Sequence, residues 1–284
     1  MSVVALGLVI WALPGPVGID TRAWPLFAVF VSTIVGLIAR PLPMGAVAMV
    51  AIGVVLLTRL LTITEVLSGF GNPTLWLVTA AFFLATGFVK TGLGTRIAYR
   101  LVSLFGGSTL GLGYSLVLTD LILAPAIASS TARAGGVLFP VLQALARMAR
   151  ARDASAGQMT SAYLTLTVYQ GTVVTSAMFM TATVINPLCV QLAASQGITI
   201  SWATWALAGI VPGLASLSVV PPIVYRLCPP GVMRTPEAPA QAKNALAALG
   251  PMTHGEWTMS AVAVLLICAW SFGSASTSPR RRCG

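Results

Sequence analysis

Uncharged apolar runs alternate along this chain with short polar joints that carry cations one to three at a time. A helix that crosses a bilayer needs about 20 mostly apolar residues, and the runs near the start approach that length. Residues 3–13 predict a first membrane helix ended by Pro14-Gly15-Pro16. With no basic n-region and no small-x-small cleavage site, it does not read as a signal peptide. Residues 23–39 predict a second helix, stopped by Arg40-Pro41-Leu42-Pro43, and a third starts near Gly45 and runs to Thr58, before Arg59 and Glu65. The run 66–89 contains Gly69-Phe70-Gly71-Asn72-Pro73-Thr74; Asn-Pro is a strong turn signal, so the fourth helix is expected to start at Thr74. It ends in Lys90-Thr91-Gly92-Leu93-Gly94, and Arg96 and Arg100 follow on an amphipathic segment.

The stretch from Asp120 to Pro140 departs from this pattern. Two uncharged arms, residues 121–132 (12 residues) and 134–146 (13 residues), are each too short to span, and the small hydroxyl residues Ser129-Ser130-Thr131 lie between them. This predicts a re-entrant hairpin. Non-helical backbone at membrane depth persists only where protein buries it or where it lines a wet cavity, because lipid cannot satisfy its N–H and C=O groups. The tip is therefore a candidate ligand site. Its hydroxyls, the free N–H groups where the second arm starts and the positive end of that arm's dipole suit an anion, and Gly135 and Gly136 permit close approach. Small-residue helix packing accounts for the same residues equally well. Asp120 reads as a solvated or helix-start residue near the hairpin base. Arg133 reads equally as attracting anions or as satisfying local carbonyls.

Residues 154–225 hold no charge in 72 positions, enough for two crossings split near Ser195-Gln196-Gly197. Between residues 160 and 186 there are nine Ser or Thr, with Gln170 and Asn186. Gly171, clustered β-branched residues and Asn186-Pro187 predict that the span breaks within residues 172–187. Broken membrane helices expose carbonyls and hydroxyls at mid-depth, where ions and substrates bind; a Ser/Thr-rich packing face is the other reading. A helix over 201–225 follows, anchored by Trp202 and Trp205. Residues 226–256, rich in Pro and Ala, read as a solvent-exposed linker with a short amphipathic helix over 241–249, and 257–272 begins a last membrane segment.

Composition agrees with this picture. At 57% hydrophobic and 8% charged, the chain is an integral membrane protein of all-α class. The net charge of +10 does not form a basic face for nucleic acid; it is distributed over loops. With the N-terminus inside, Arg40, then Lys90, Arg96 and Arg100, then Arg147, Arg150 and Arg152, then Arg226, Arg234 and Lys243 all face inward, as the positive-inside rule requires. Counting the hairpin as a full crossing would place the later basic loops outside. The scattered Cys189, Cys228, Cys268 and Cys283 and the lone His254 suggest neither a disulfide framework nor a metal centre. The Arg280-Arg281-Arg282 tail breaks the charge rule, so 273–284 reads as the product of a frameshift or early stop, or else as a tail held inside by a half-inserted segment.

Gly71-Asn72-Pro73-Thr74-Leu75-Trp76, Lys90-Thr91-Gly92-Leu93-Gly94, Gly111-Leu112-Gly113-Tyr114, Leu123-Ala124-Pro125 and Ser129-Ser130-Thr131-Ala132-Arg133-Ala134-Gly135-Gly136 together resemble the divalent anion:sodium symporter family. The nearest branch is that of bacterial citrate/succinate and tartrate/succinate antiporters and plastid 2-oxoglutarate/malate translocators, and the resemblance runs from about residue 13 to 270. It implies the N-terminal half of an inverted-repeat, elevator-type transporter with a re-entrant hairpin and a broken transmembrane helix. The implied divisions are scaffold helices over 1–105, hairpin plus broken helix over 106–195, a sixth helix over 196–225, a cytoplasmic linker over 226–257, and an incomplete helix with a non-family tail over 258–284. The family's Ser-Asn-Thr motif falls on Ser129, Ser130 and Thr131. The resemblance implies substrate contacts from these three with Thr181 and Asn186, and a cation site, sodium in symporters, from Ser129, Ser130, Thr175 and Ser176. At Ser130 a hydroxyl replaces the motif's amide, which both donates and accepts and reaches farther, a difference that bears on affinity and on sodium coupling.

Three functions are compatible with these residues to different degrees. The first is secondary transport of di- or tricarboxylates, by sodium symport or anion exchange, in a multi-pass protein of the bacterial inner membrane that forms a homodimer when intact. The second is an inactive remnant of such a transporter, truncated after the N-terminal repeat. The third, an intramembrane hydrolase using Ser129 or Ser130 with Asp120, lacks a His or Lys base at usable spacing, so the chain is not read as an enzyme.

Overall fold

The computed structural model describes residues 2–16, 18, 20 and 22–273; the Arg280-Arg281-Arg282 tail lies outside them. Every regular element among the described residues is helical, and the chain divides into two compact units, Met1–Trp76 and Leu77–Gly284.

The first unit contains α1 (Ser2–Ala12), α2 (Ala23–Ala39), α3 (Met44–Leu57) and the short α4 (Ile63–Ser68). Pro14 and Pro16, which lack backbone N–H donors, follow the end of α1, and Trp24 Nε1 donates to Ile10 O and Leu13 O, each at 3.0 Å. The second and third helices lie within a residue of their expected bounds. α4 has no counterpart among the expected helices. Thr62 and Glu65 close a capping box there, with Thr62 N–H on Glu65 Oε2 at 2.7 Å and Glu65 N–H on Thr62 Oγ1 at 3.3 Å, which fixes six residues as helix.

α5 (Pro73–Thr91), most of which belongs to the second unit, leads to α6 (Leu93–Phe105) and α7 (Thr109–Leu123). α7 ends earlier than the expected first arm, because Pro125 disfavours helix at Ala124 and removes a donor. Residues 124–129 form the turn, and helix resumes at Ser130, passing through a π-helical segment, Ala132–Leu138, into α8 (Phe139–Arg152). Ser130 and Thr131 therefore open the second arm, one residue after the turn.

Asp153 then caps α9 (Ala154–Met178), which is followed by a 3-10 turn at Met180–Ala182 and by α10 (Ile185–Ser195), α11 (Trp202–Leu227), α12 (Glu237–Ala248) and α13 (His254–Gly273). The break after α9 falls within the expected region but late. Gly171 does not interrupt the helix; it is a contact glycine, where an added Cβ would lie 2.8 Å from Val117 Cγ2 of α7. Of the divisions implied by the resemblance, 105 and 195 fall on the last residues of α6 and α10, 225 near the end of α11, and 257 in the first turn of α13. α11, at 26 residues, is long and apolar enough to cross a membrane by itself; α2, α3 and α7 are apolar but shorter.

One cluster of this unit joins Val102, Leu112 and Leu116 to Leu138, Leu142, Tyr163 and Leu164. A second packs Phe88 and Leu93 against Leu123, Ile127 and Val137, which seats the turn after α7 against α5 and α6. Gly94 makes this approach feasible, since a Cβ there would lie 2.8 Å from Val137 Cγ2. The linker is docked and not simply solvent-exposed: Ala238 and Ala242 of α12 are buried in the first cluster, Thr109 N–H donates to Met233 O at 3.1 Å, and Thr235 Oγ1 donates to Gly106 O at 2.7 Å.

Candidate functional site

The turn after α7 and the break after α9 meet around one buried ion pair. Arg133 Nε donates to Asp120 Oδ1 at 2.8 Å, with side chains 0% and 1% exposed. Asp120 is thus neither solvated nor at a helix start; it lies in the last turn of α7, enclosed, because Arg133 supplies its counter-charge. Thr175 Oγ1 donates to its other oxygen, Oδ2, and so ties α9 to the same carboxylate.

Arg133 fixes non-helical backbone on both sides. Its Nη1 donates to Ile127 O in the turn and to Ala182 O in the break, both at 2.7 Å, and its Nη2 donates to Ser176 Oγ at 3.0 Å. The planar fork of guanidinium donors suits this; a lysine could not serve four acceptors in fixed directions. Of the two roles read for Arg133, satisfying local carbonyls is the one the geometry displays. Two more side chains complete the join: Thr181 Oγ1 donates to Pro125 O at 2.9 Å and accepts from Trp202 Nε1 at 3.1 Å, and Asn186 Nδ2 donates to Ser176 O at 2.7 Å and Phe179 O at 2.9 Å. Loose carbonyls of a broken helix would each cost a hydrogen bond's worth of desolvation; here buried side chains meet them.

The sequence-expected residues thus fall into two groups. Thr175, Ser176, Thr181 and Asn186 lie together at the join and make the hydrogen bonds just described. Ser129, Ser130 and Thr131 lie where the second arm begins. Ser129 Oγ accepts from Ala132 N–H at 3.2 Å, the bond of an N-cap serine; Ser129 and Ser130 are half-buried and Thr131 is exposed. The π-helical segment directly follows, a geometry common at functional sites. An adjoining cavity of about 140 Å³ is lined by Ala128, Thr181, Thr183, Pro187, Leu266 and Trp270 among others. Its walls are nearly all apolar and Thr181 is already committed, so it is a poor seat for a carboxylate. Composition and spacing did not disclose Asp120 as part of the site, although a signal existed: Asp120 is the sole acid between Glu65 and Asp153, and Arg133 the sole cation between Arg100 and Arg147.

Comparison with known proteins fits this architecture. The profile of a family described as the sodium:sulfate symporter transmembrane region matches residues 1–278. A Bacillus subtilis (strain 168) protein named as a candidate malate transporter is 48% identical over 272 residues, covering 95% of this chain and 57% of the relative. Dicarboxylate transporter 1 of Arabidopsis thaliana chloroplasts is 46% identical over 277 residues, covering 96% and 50%, and an inner membrane protein of Escherichia coli (strain K12) is 38% identical over 277 residues, covering 95% and 58%. The chain spans about half the length of the curated relatives it matches.

Proposed function

The chain belongs to the sodium:sulfate symporter transmembrane region family, and from that premise we propose that it carries di- and tricarboxylates of the succinate, malate, 2-oxoglutarate and citrate class across the bacterial inner membrane by sodium symport or anion exchange. The observation that carries this reading is the join around Asp120 and Arg133, where two interruptions of helix meet and their backbone is satisfied by buried side chains. Such an arrangement suits a membrane-depth binding site, where irregular backbone must be enclosed or line a cavity. The carboxylate contacts are Ser129, Ser130 and Thr131 with the N–H groups of the second arm's first turn, while Thr181 and Asn186 shape the facing break. The names of the Bacillus and Arabidopsis relatives support a dicarboxylate as the cargo. Re-entry of the hairpin, elevator movement, a homodimer and a cytoplasmic N-terminus belong to the same proposal.

The test is uptake of radiolabelled succinate, malate and citrate into proteoliposomes holding this chain, with an inward sodium gradient, with internal unlabelled dicarboxylate, or with neither. Saturable uptake under the first condition identifies symport and under the second exchange. Correctly inserted, folded protein that gives no saturable uptake under any condition overturns the reading for this chain.

A further inference from the structure

Arg133 is fully enclosed, so it cannot hydrogen-bond a bound molecule directly and reaches one by hydrogen bonding only through the groups it touches. Three of its acceptors, Asp120 Oδ1, Ile127 O and Ala182 O, belong to buried residues, whereas the fourth, the Ser176 hydroxyl, belongs to a half-buried one. We infer that Ser176 donates its hydroxyl proton to a carboxylate oxygen of the substrate, and that Arg133 acts through Ser176 as a positioning residue; this rests on the dicarboxylate-transport reading.

A serine hydroxyl has one proton to give and two lone pairs. At Ser176 a guanidinium N–H occupies a lone pair at 3.0 Å, and the proton has no acceptor among the described residues. Accepting from a cation polarises the O–H and makes it a stronger donor. The oxygen is also held in place from the backbone side. Asn186 Nδ2 grips Ser176 O at 2.7 Å, and Trp205 Nε1 grips Ala177 O at 3.0 Å, so the end of α9 cannot easily rotate the hydroxyl away. A cation on the remaining lone pair would lie beside the guanidinium at hydrogen-bond distance from the same oxygen, where the two positive charges repel. Ser176 therefore suits an oxyanion, in contrast to the cation role that the family resemblance gave it. Thr175 is likewise committed, its proton given to Asp120.

The experiment compares the full chain with Ser176→Ala and Ser176→Thr in proteoliposome uptake of succinate, with the sodium dependence measured at saturating succinate. Loss of a hydrogen bond to a charged group predicts a KM for succinate raised about tenfold or more in Ser176→Ala, with maximal rate and sodium half-saturation near those of the unsubstituted chain. Ser176→Thr, which keeps the hydroxyl, restores KM. Arg133→Lys raises KM as well and adds little to Ser176→Ala, as expected for two parts of one path. If Ser176→Ala does not insert, Ser176→Cys, a weak donor of similar size, carries the same comparison. An unchanged KM, or a shift in sodium half-saturation in place of succinate KM, overturns the role of Ser176 while leaving transport intact. Absence of uptake by the unsubstituted chain overturns the transport reading itself, and the role of Ser176 with it.

Discussion

Asp120 and Arg133 stand 13 residues apart on opposite sides of one turn, both buried, and among the described residues each is the other's only charged partner. Replacing either alone strands a buried charge, which typically costs about 3–5 kcal/mol. Asp120→Leu and Arg133→Met should each lower thermal stability of the detergent-solubilised chain by that order. The double substitution Asp120→Leu with Arg133→Met should lose less than either single change, because no unpaired charge remains. A double variant whose loss equals the sum of the singles would show that the two residues act independently.

Hydropathy and turn chemistry made most helices legible. Prolines 14, 16, 41 and 43 punctuate the first unit where the chain turns, and the bounds of α2 and α3 follow from them. The turn between α7 and α8 was legible as an irregularity and less so in register, because the pattern counts uncharged length from Asp120 while α7 begins at Thr109 and runs through it. The break after α9 is legible in the clustered β-branched residues and Asn186-Pro187, whereas Gly171 is a contact residue against Val117. What the sequence concealed were the long-range pairs. Arg96 counts as a loop cation in any charge tally, and only the fold brings Glu256, 160 residues away, to its guanidinium.

That second ion pair governs the linker. Arg96 Nε donates to Glu256 Oε1 at 2.6 Å, and its terminal nitrogens reach Gly250 O at 2.8 Å and Pro251 O at 3.3 Å, so one side chain on α6 holds both the end of α12 and the start of α13. Arg96→Lys keeps the charge but cannot span these acceptors. Hydrogen exchange across residues 237–256 should rise in Arg96→Lys and rise further in Arg96→Ala, while exchange across α9 stays unchanged. Equal protection in all three proteins would mean that the alanine contacts of α12 suffice to dock it.

The crossing of α9 and α11 depends on missing side chains. A Cβ at Gly213 would lie 2.4 Å from Met178 Cγ, and one at Gly209 would lie 2.7 Å from Met178 O. The first neighbour is a flexible side chain and the second is backbone at the end of α9, so the two glycines should respond differently. Gly209→Ala is expected to cost about 1–3 kcal/mol of stability by overpacking, and Gly213→Ala less, as Met178 adopts another rotamer. Thermal unfolding of the two variants side by side checks the order. Gly213→Ala as the more damaging change would mean that Met178 has no alternative conformation to take.

The start of α9 should respond to acid through Asp153. Its Oδ1 accepts from the Ser155 hydroxyl at 2.8 Å and from the N–H groups of Ser155 at 2.8 Å and Ala156 at 3.2 Å, and these bonds, the Ser155 hydroxyl foremost, hold the carboxyl below its ordinary value of 3.8. The folded value is the lower of the two, so the unfolded state binds more protons in the window between them. The cap's contribution is therefore complete above the ordinary value and is lost as pH falls through it toward the folded value. Amide protection at Ser155 and Ala156, corrected for the intrinsic pH dependence of exchange, should fall over that window. Asp153→Asn offers a similar cap acceptor without a titrating group, so its protection should stay level across the same range. If the asparagine variant falls in parallel with the unsubstituted chain, the acid response originates elsewhere, and Asp153 is a cap whose ionisation does not matter.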